Sequence, residues 1–285
     1  MKEWPAPHPE ADTDNGPHQR RSPRFAMILS ALFASNAGLQ AASAFLDVTS
    51  NNVANSNTTG YKAGQITFQD LLYTGSPAGA ATQGVTPPSS NQIGTGAIVD
   101  TIAGNFTQGG LTPGEGPLDL AITGEGFFAV ALPDGTTGYT RSGNFNFDNA
   151  GNVVTADGFF LGGGIALPAG TTAVSVSPAG VVTATTPDGI QQIGQLQLTR
   201  FQNPAGLTRV GNTTFAASPA SGTGTTDVPG TNGLGTIGQG FLEQSNVELT
   251  NELINLLIAQ RTFSFNTQAI QIETQVLQAT TDLIR

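Results

Sequence analysis

The sequence predicts an α+β protein in which long N- and C-terminal helices pair as a coiled-coil stem, with an antiparallel β-rich domain inserted between them. Three observations carry that expectation. Apolar residues recur every seven positions at both ends of the chain, the repeat that keeps one stripe of a helix facing one partner over many turns. The stretch between those ends is rich in Gly and in apolar runs too short to be helices. Turn-forming pairs such as Asp134-Gly135 and Asp188-Gly189 separate those runs. On this reading the chain divides into residues 1–26, 27–73, 74–92, 93–236 and 237–285.

Residues 1–26 carry Pro5, Pro7, Pro9, Pro17 and Pro23 with mixed charges and no periodicity, the composition of a disordered extension. A second reading is that Met27 starts the chain and the preceding codons are not translated. From 28 to 54 the pattern is helical, with Leu32, Leu39, Leu46 and Val53 at seven-residue intervals. The following stretch is rich in Asn and Thr, with Asn52 and Asn55 ahead of Gly60 and Tyr61. Asn and Thr side chains compete for backbone hydrogen bonds and Gly accepts the left-handed conformation, so a helix end with a specific turn is expected here.

Residues 74–92 are Gly, Ser, Thr, Ala and Pro without an apolar pattern and read as a linker. Beyond them, runs at 118–122, 127–130, 153–155, 174–176, 181–184 and 195–198 read as strands, and 218–236 returns the chain to the stem. The segment 241–285 has neither Gly nor Pro and reads as one helix, about 60 Å long at about 1.5 Å per residue. Leu249, Leu256, Phe263, Ile270, Leu277 and Ile284 form one stripe on it, and Phe265, Ala269, Ile272, Val276, Ala279 and Leu283 form another. At about 100° per residue the two stripes occupy different sides, so one partner helix cannot bury both. Length and two apolar seams point to packing between chains.

Composition removes most catalytic chemistries. The chain has no Cys, and both of its His residues, His8 and His18, lie in the first segment, so thiolate metal sites, imidazole ligands and Ser-His catalysis have no residues to use in the patterned part. The carboxylate pairs Asp119 with Glu125 and Asp148 with Asp157 could serve glycoside hydrolysis, but Asp134, Asp157 and Asp188 directly precede Gly, where a turn role dominates. No Gly-rich fragment opens a helix after a strand, so no phosphate site is expected. Past residue 26 the basic residues, Lys62, Arg141, Arg200, Arg209, Arg261 and Arg285, are scattered singly in a chain of net charge −10, which argues against nucleic acid. No apolar run approaches the ~18 residues of a membrane span, and no charged stretch followed by an apolar one marks a cleaved signal. Catalytic, cofactor and metal sites are therefore all expected to be absent. Arg261 stands between the two seams; it is either a solvated charge or one half of a partly buried ion pair with Glu248, Glu252 or an acidic group on a neighbouring subunit.

The run SALFASNAGLQAASAFLDVTSNNVANSNTTGYK at 30–62 resembles the amino-terminal signature of the bacterial flagellar rod and hook proteins. FQDLLY at 68–73, IGTGA at 93–97, LDLAITGEGFFAV at 118–130, YTRSGNF at 139–145 and GFLEQSNVELTNELINLLIAQRTFSFN at 240–266 continue it in order. Where that family often reads QRAYEIN, this chain reads QRTFSFN at 260–266, and residues 1–26 have no counterpart. The resemblance implies a non-enzymatic subunit that polymerises into the distal rod of the flagellar basal body and transmits torque from motor to hook. Its terminal helices would line the inner tube, with the β-domain outside and the 74–92 insertion packed between subunits. It implies export through the flagellum's own type III channel without a cleaved signal. The expected partners are further copies of the chain, other rod and hook proteins, the surrounding basal-body rings and the export apparatus. The seam residues, Asn52, Asn55, Gly60, Tyr61 and Arg261 are the expected assembly interface. Two alternatives stand beside it: a hook or proximal-rod paralogue, and a secreted adhesin or polysaccharide-acting enzyme with a coiled-coil stem.

Overall fold

A computed structural model describes residues 23–76 and 91–282; the readings of residues 1–22, of the middle of the 74–92 linker and of Leu283 and Ile284 fall outside the described residues. Within them the chain is α+β, with a helix at each end and twenty short strands between.

Helix α1 spans Pro23–Ala54 and starts earlier than the periodicity suggests. Proline is tolerated in a first helical turn, because the N–H that it lacks has no intrahelical acceptor there. The helix stops where the Asn-rich stretch takes over: Asn55 Nδ2 donates to the carbonyl of Asn51 at 2.9 Å, and Ser56 N and Thr58 N close tight turns onto Val53 and Asn55.

The chain then enters β1 (Gly64–Asp70), β2 (Tyr73–Ser76), β3 (Asn91–Gly94) and β4 (Ala97–Gly104), which form two antiparallel pairs, β1 with β4 and β2 with β3. The first three of these strands lie within the stretch read as terminal signature, 64–73, and at the two edges of the stretch read as linker, 74–92. The β-branched and aromatic run Ile66, Thr67, Phe68 suits a pleated surface. Most of β1 is solvent-exposed, so no clean in/out alternation announced it.

The β-domain continues through β5 (Leu111–Pro113), β6 (Leu120–Thr123), β7 (Phe127–Ala131), β8 (Thr137–Thr140), β9 (Phe145–Phe147), β10 (Val153–Thr155) and β11 (Phe160–Leu161). It goes on through β12 (Ala173–Val176), β13 (Val181–Thr186), β14 (Gly189–Gln195), β15 (Leu198–Arg200), β16 (Thr208–Gly211), β17 (Thr214–Ala216), β18 (Thr225–Asp227), β19 (Thr236–Gln239) and β20 (Phe241–Glu243). The largest sheet runs β16-β17-β8-β7-β11-β10-β9, with β15 also on β7 and β18 on β15. The strands β12, β13 and β14 form a separate three-stranded sheet. Every pairing is antiparallel, as the frequent tight turns require.

Two apolar clusters hold this domain together. The larger collects Leu118, Leu120, Ile122, Phe128, Val130, Phe145 and Leu198 with residues of the three-stranded sheet such as Val176 and Val182. The smaller is aromatic: Phe127, Phe201 and Phe215 with Phe106 and Tyr139, their rings meeting edge to face at centroid distances of 4.7 to 6.3 Å. The turn at 148–152 shows how the loops are fixed. Asp148 accepts from the backbone N–H groups of Ala150 and Asn152 and from Asn152 Nδ2, and these hydrogen bonds hold its carboxyl below the ordinary aspartate range.

Two expected elements are redrawn. The run 195–198 is not one strand: Gln195 ends β14, Leu196 N donates to Gly180, and Leu198 opens β15 on a different sheet, so the two buried leucines mark a crossing between layers. The C-terminal helix α2 spans Leu249–Asp282 and begins eight residues later than expected. Gly240, at φ 77°, turns the chain so that Phe241–Glu243 pairs with β5 instead, and Glu252 N then closes the first helical turn onto Glu248. The absence of Gly and Pro from 241 onward does not by itself mark where the helix begins.

Helices α1 and α2 lie against each other in opposite directions: Ser35 Oγ donates to Glu273 Oε1 at 3.3 Å, Gly38 faces Asn266, and Asn52 Nδ2 donates to Glu252 Oε1 at 3.2 Å. Gly38 allows the close approach, since a Cβ there would press on the Asn266 amide.

Candidate functional site

The residues expected to form one assembly surface separate into two structures, a junction and an outward helix face. The junction is where α1, the β-domain and the start of α2 meet. Asn52, on the last turn of α1 and 2% exposed, holds Gly64 with both ends of its amide: Nδ2 donates to the Gly64 carbonyl at 2.9 Å and Oδ1 accepts from Gly64 N at 2.8 Å. The Tyr61 hydroxyl donates to Asn51 Oδ1 at 2.7 Å, and Arg209 lies over its ring at 5.3 Å while Arg209 Nη2 donates to the Lys62 carbonyl. Burial raises the Tyr61 hydroxyl above the ordinary tyrosine range, with Arg209 opposing. Asn246 closes the other side, accepting from Ala63 N at 2.8 Å and donating to the carbonyl of Asn105 at 2.8 Å.

Beneath this lies a buried ion cluster that sequence reasoning missed. Glu243, fully buried at the end of β20, takes Lys62 Nζ on Oε1 at 2.6 Å and Arg141 Nη1 on Oε2 at 3.2 Å. Gly109 N donates to the same Oε1 at 3.0 Å, and Gly60 N donates to the Glu243 carbonyl at 2.8 Å. Lys62 Nζ also donates to the Thr107 carbonyl at 2.7 Å, and Arg141 Nη2 to that of Gly124 at 2.8 Å. Burial pushes both the Lys62 ammonium and the Arg141 guanidinium below their ordinary ranges, and the Glu243 carboxylate opposes both shifts. Three distant parts of the chain are thus tied at one carboxylate. The available signal was weak: a charge inside the patterned run GFLEQ, and a lone lysine directly after Gly60-Tyr61.

Gly60 is the steric key of the junction. Its φ is +69°, and a Cβ there would overlap the backbone of Arg141 and Ser142. Gly60→Ala combines left-handed strain of about 1–2 kcal/mol with a clash against backbone that has no free torsion to yield. It is expected to lower stability by at least about 2 kcal/mol, read as a shifted urea midpoint; an unchanged midpoint would show that the junction is looser than these contacts imply.

The remaining predicted residues lie on the helices. Leu32, Leu39, Leu46 and Val53 of α1 and Leu256, Ile270 and Leu277 of α2 are half-buried, whereas Leu249 and Phe263 of the same stripe are 47% and 41% exposed. The second stripe points away: Phe265 is 67%, Ile272 60% and Val276 45% exposed. Asn55 stays on the surface side of the turn, bonded to Asn51 and Thr58. Arg261 is exposed and pairs with neither Glu248 nor Glu252, whose carboxylates accept instead from Asn251 and Asn52. Of the carboxylates considered for hydrolysis, Asp119 is turned onto Gly116 N, Glu125 onto Arg200, and Asp148 into its own turn. No group of three or more His, Asp or Glu able to hold a metal occurs among the described residues, nor any helix long and apolar enough to cross a membrane.

A chain of this form, two terminal helices carrying unburied apolar surface and a β-domain locked to them by a buried junction, has the form of an assembly subunit. The comparisons identify the assembly. Family models match at residues 33–62 (flagella basal body rod protein), 121–184 (flagellar hook protein FlgE/F/G D1 domain) and 239–283 (flagellar basal body rod FlgEFG protein C-terminal). Each matched segment contributes one member of the buried cluster, Lys62, Arg141 and Glu243 respectively. The chain is 38% identical to the flagellar basal-body rod protein FlgG of Caulobacter vibrioides over 90% of its own length and 99% of the relative's. It is 37% identical to that of Bacillus subtilis over 90% and 100%. The flagellar hook protein FlgE of Helicobacter pylori matches at 36% identity over 48% of the chain but only 19% of the relative. The chain belongs to the family of flagellar basal-body rod proteins.

Proposed function

We propose that the chain is a non-enzymatic subunit of the distal rod of the flagellar basal body, polymerising through its terminal helices and carrying torque from motor to hook. The observation that carries this reading is the face of α2 bearing Phe265, Ile272 and Val276, apolar surface that a single chain leaves in water. On this reading α1 and α2 form a coiled-coil stem lining the inner tube, residues 93–236 form the outer domain, and 74–92 packs between subunits. The Lys62–Glu243–Arg141 cluster transmits load, because it ties the stem rigidly to the outer domain. The near-complete coverage of the rod relatives, against the short match to the hook protein, favours rod over hook. Partners on this reading are other rod and hook proteins, the rings around the rod and the flagellar export apparatus, which would pass the chain without a cleaved signal.

The test is cryo-electron microscopy of isolated basal bodies with and without the gene. The wild-type map should place this chain in the distal rod with both helices innermost, and the deletion should end the rod short with no hook attached. A complete rod in the deletion strain would refute the assignment.

A further inference from the structure

Two charged groups on the helical stem have no counter-charge among the described residues. Glu273 lies on the side of α2 that faces α1, where its Oε1 accepts a single, long hydrogen bond from Ser35 Oγ at 3.3 Å. Its Oε2 is buried with no donor among the described residues. A buried carboxylate oxygen left in that state carries an uncompensated loss of hydration. Arg261 has the opposite problem: it is the one basic residue of α2, is exposed on an apolar helix, and has no carboxylate partner among the described residues. The described side chains of α1 include no cation.

The two groups cannot meet on their own helix. Twelve residues at about 1.5 Å each separate them by roughly 18 Å along the axis, beyond the reach of both side chains. The other acids of the stem make no such demand: Glu248 accepts from Asn251, Glu252 from Asn52, and Asp47 and Asp282 are open to solvent.

We propose that the guanidinium of Arg261 from a neighbouring copy of the chain closes on Glu273, forming an ion pair that exists only in the polymer and sets the axial register between α2 helices. This rests on the polymer reading above and adds to it a specific contact and an offset of roughly 18 Å between neighbouring α2 helices. Glu273 as a whole is only partly buried, and the terminal torsion of a glutamate is soft, so rotation presents the orphan oxygen to an incoming group. A guanidinium supplies the paired donors that a carboxylate accepts with both oxygens.

The test is assembly of the purified full-length chain, followed by sedimentation and electron microscopy, with Arg261→Glu and Glu273→Arg made singly, together in one chain, and as a mixture of the two single variants. Each single variant places like charges at the contact and should raise the concentration needed for assembly at least about tenfold. The double variant should recover most of that loss. The equimolar mixture should recover too, because alternating copies then present opposite charges at every contact. Monomer circular dichroism shows whether a variant keeps its helices, and Glu273→Gln, which removes the charge without reversing it, should fall between wild type and Glu273→Arg. Single variants that assemble like wild type, or a double variant and mixture no better than the singles, overturn the pair while leaving the polymer reading intact. A wild-type chain that forms no polymer removes both.

Discussion

Glu243→Gln is expected to destabilise the isolated chain by about 3–5 kcal/mol, whereas Lys62→Met should cost only about 1–2 kcal/mol. The asymmetry follows from charge balance. Glu243 is the one carboxylate between two buried cations, so neutralising it strands both Lys62 and Arg141 without a counter-ion, and it weakens the acceptor of Gly109 N. Removing Lys62 leaves Arg141 and Glu243 as a balanced pair, and the Thr107 carbonyl keeps its bond from Asn246 Nδ2. Urea unfolding of the purified variants measures both numbers; equal costs would mean that charge balance is not what holds the junction. A pH profile adds a second check. Burial lowers the Lys62 pKa in the folded chain, so above that lowered value the unfolded chain binds more protons than the folded one. Stability should therefore climb as pH rises toward the ordinary lysine value of about 10.4, and Lys62→Met should lack that climb.

Replacing Phe265, Ile272 and Val276 together by Ser should abolish assembly at concentrations where the wild type polymerises, without changing the unfolding of the monomer. Each side chain is largely exposed in one chain, so the folded monomer has little to lose. If neighbouring copies bury the stripe, each truncation forfeits about 1.5–3 kcal/mol of apolar transfer. The sum raises the critical concentration by on the order of a thousandfold or more. The same change at Leu256 and Ile270, which are half-buried, should instead lower monomer stability and assembly together. Filaments of normal length from the triple variant would remove this face from the assembly surface.

The sequence by itself determined the terminal helices and the antiparallel character of the middle, because each is written in local pattern. Seven-residue repeats show in Leu32 to Val53 and Leu249 to Leu277, and turns show in pairs such as Asp157-Gly158. Gly60 was legible as a left-handed position for the same reason. Only the tertiary structure decided where α2 begins, because Phe241 to Glu243 is drawn into a sheet by β5, a segment more than a hundred residues away. It also decided which α2 stripe meets α1 and which stays in water, since both are equally apolar in sequence. The buried cluster lay furthest from local reading. Lys62, Arg141 and Glu243 are isolated charges along the chain, and their meaning is the loss of water they share once three distant segments close on one carboxylate.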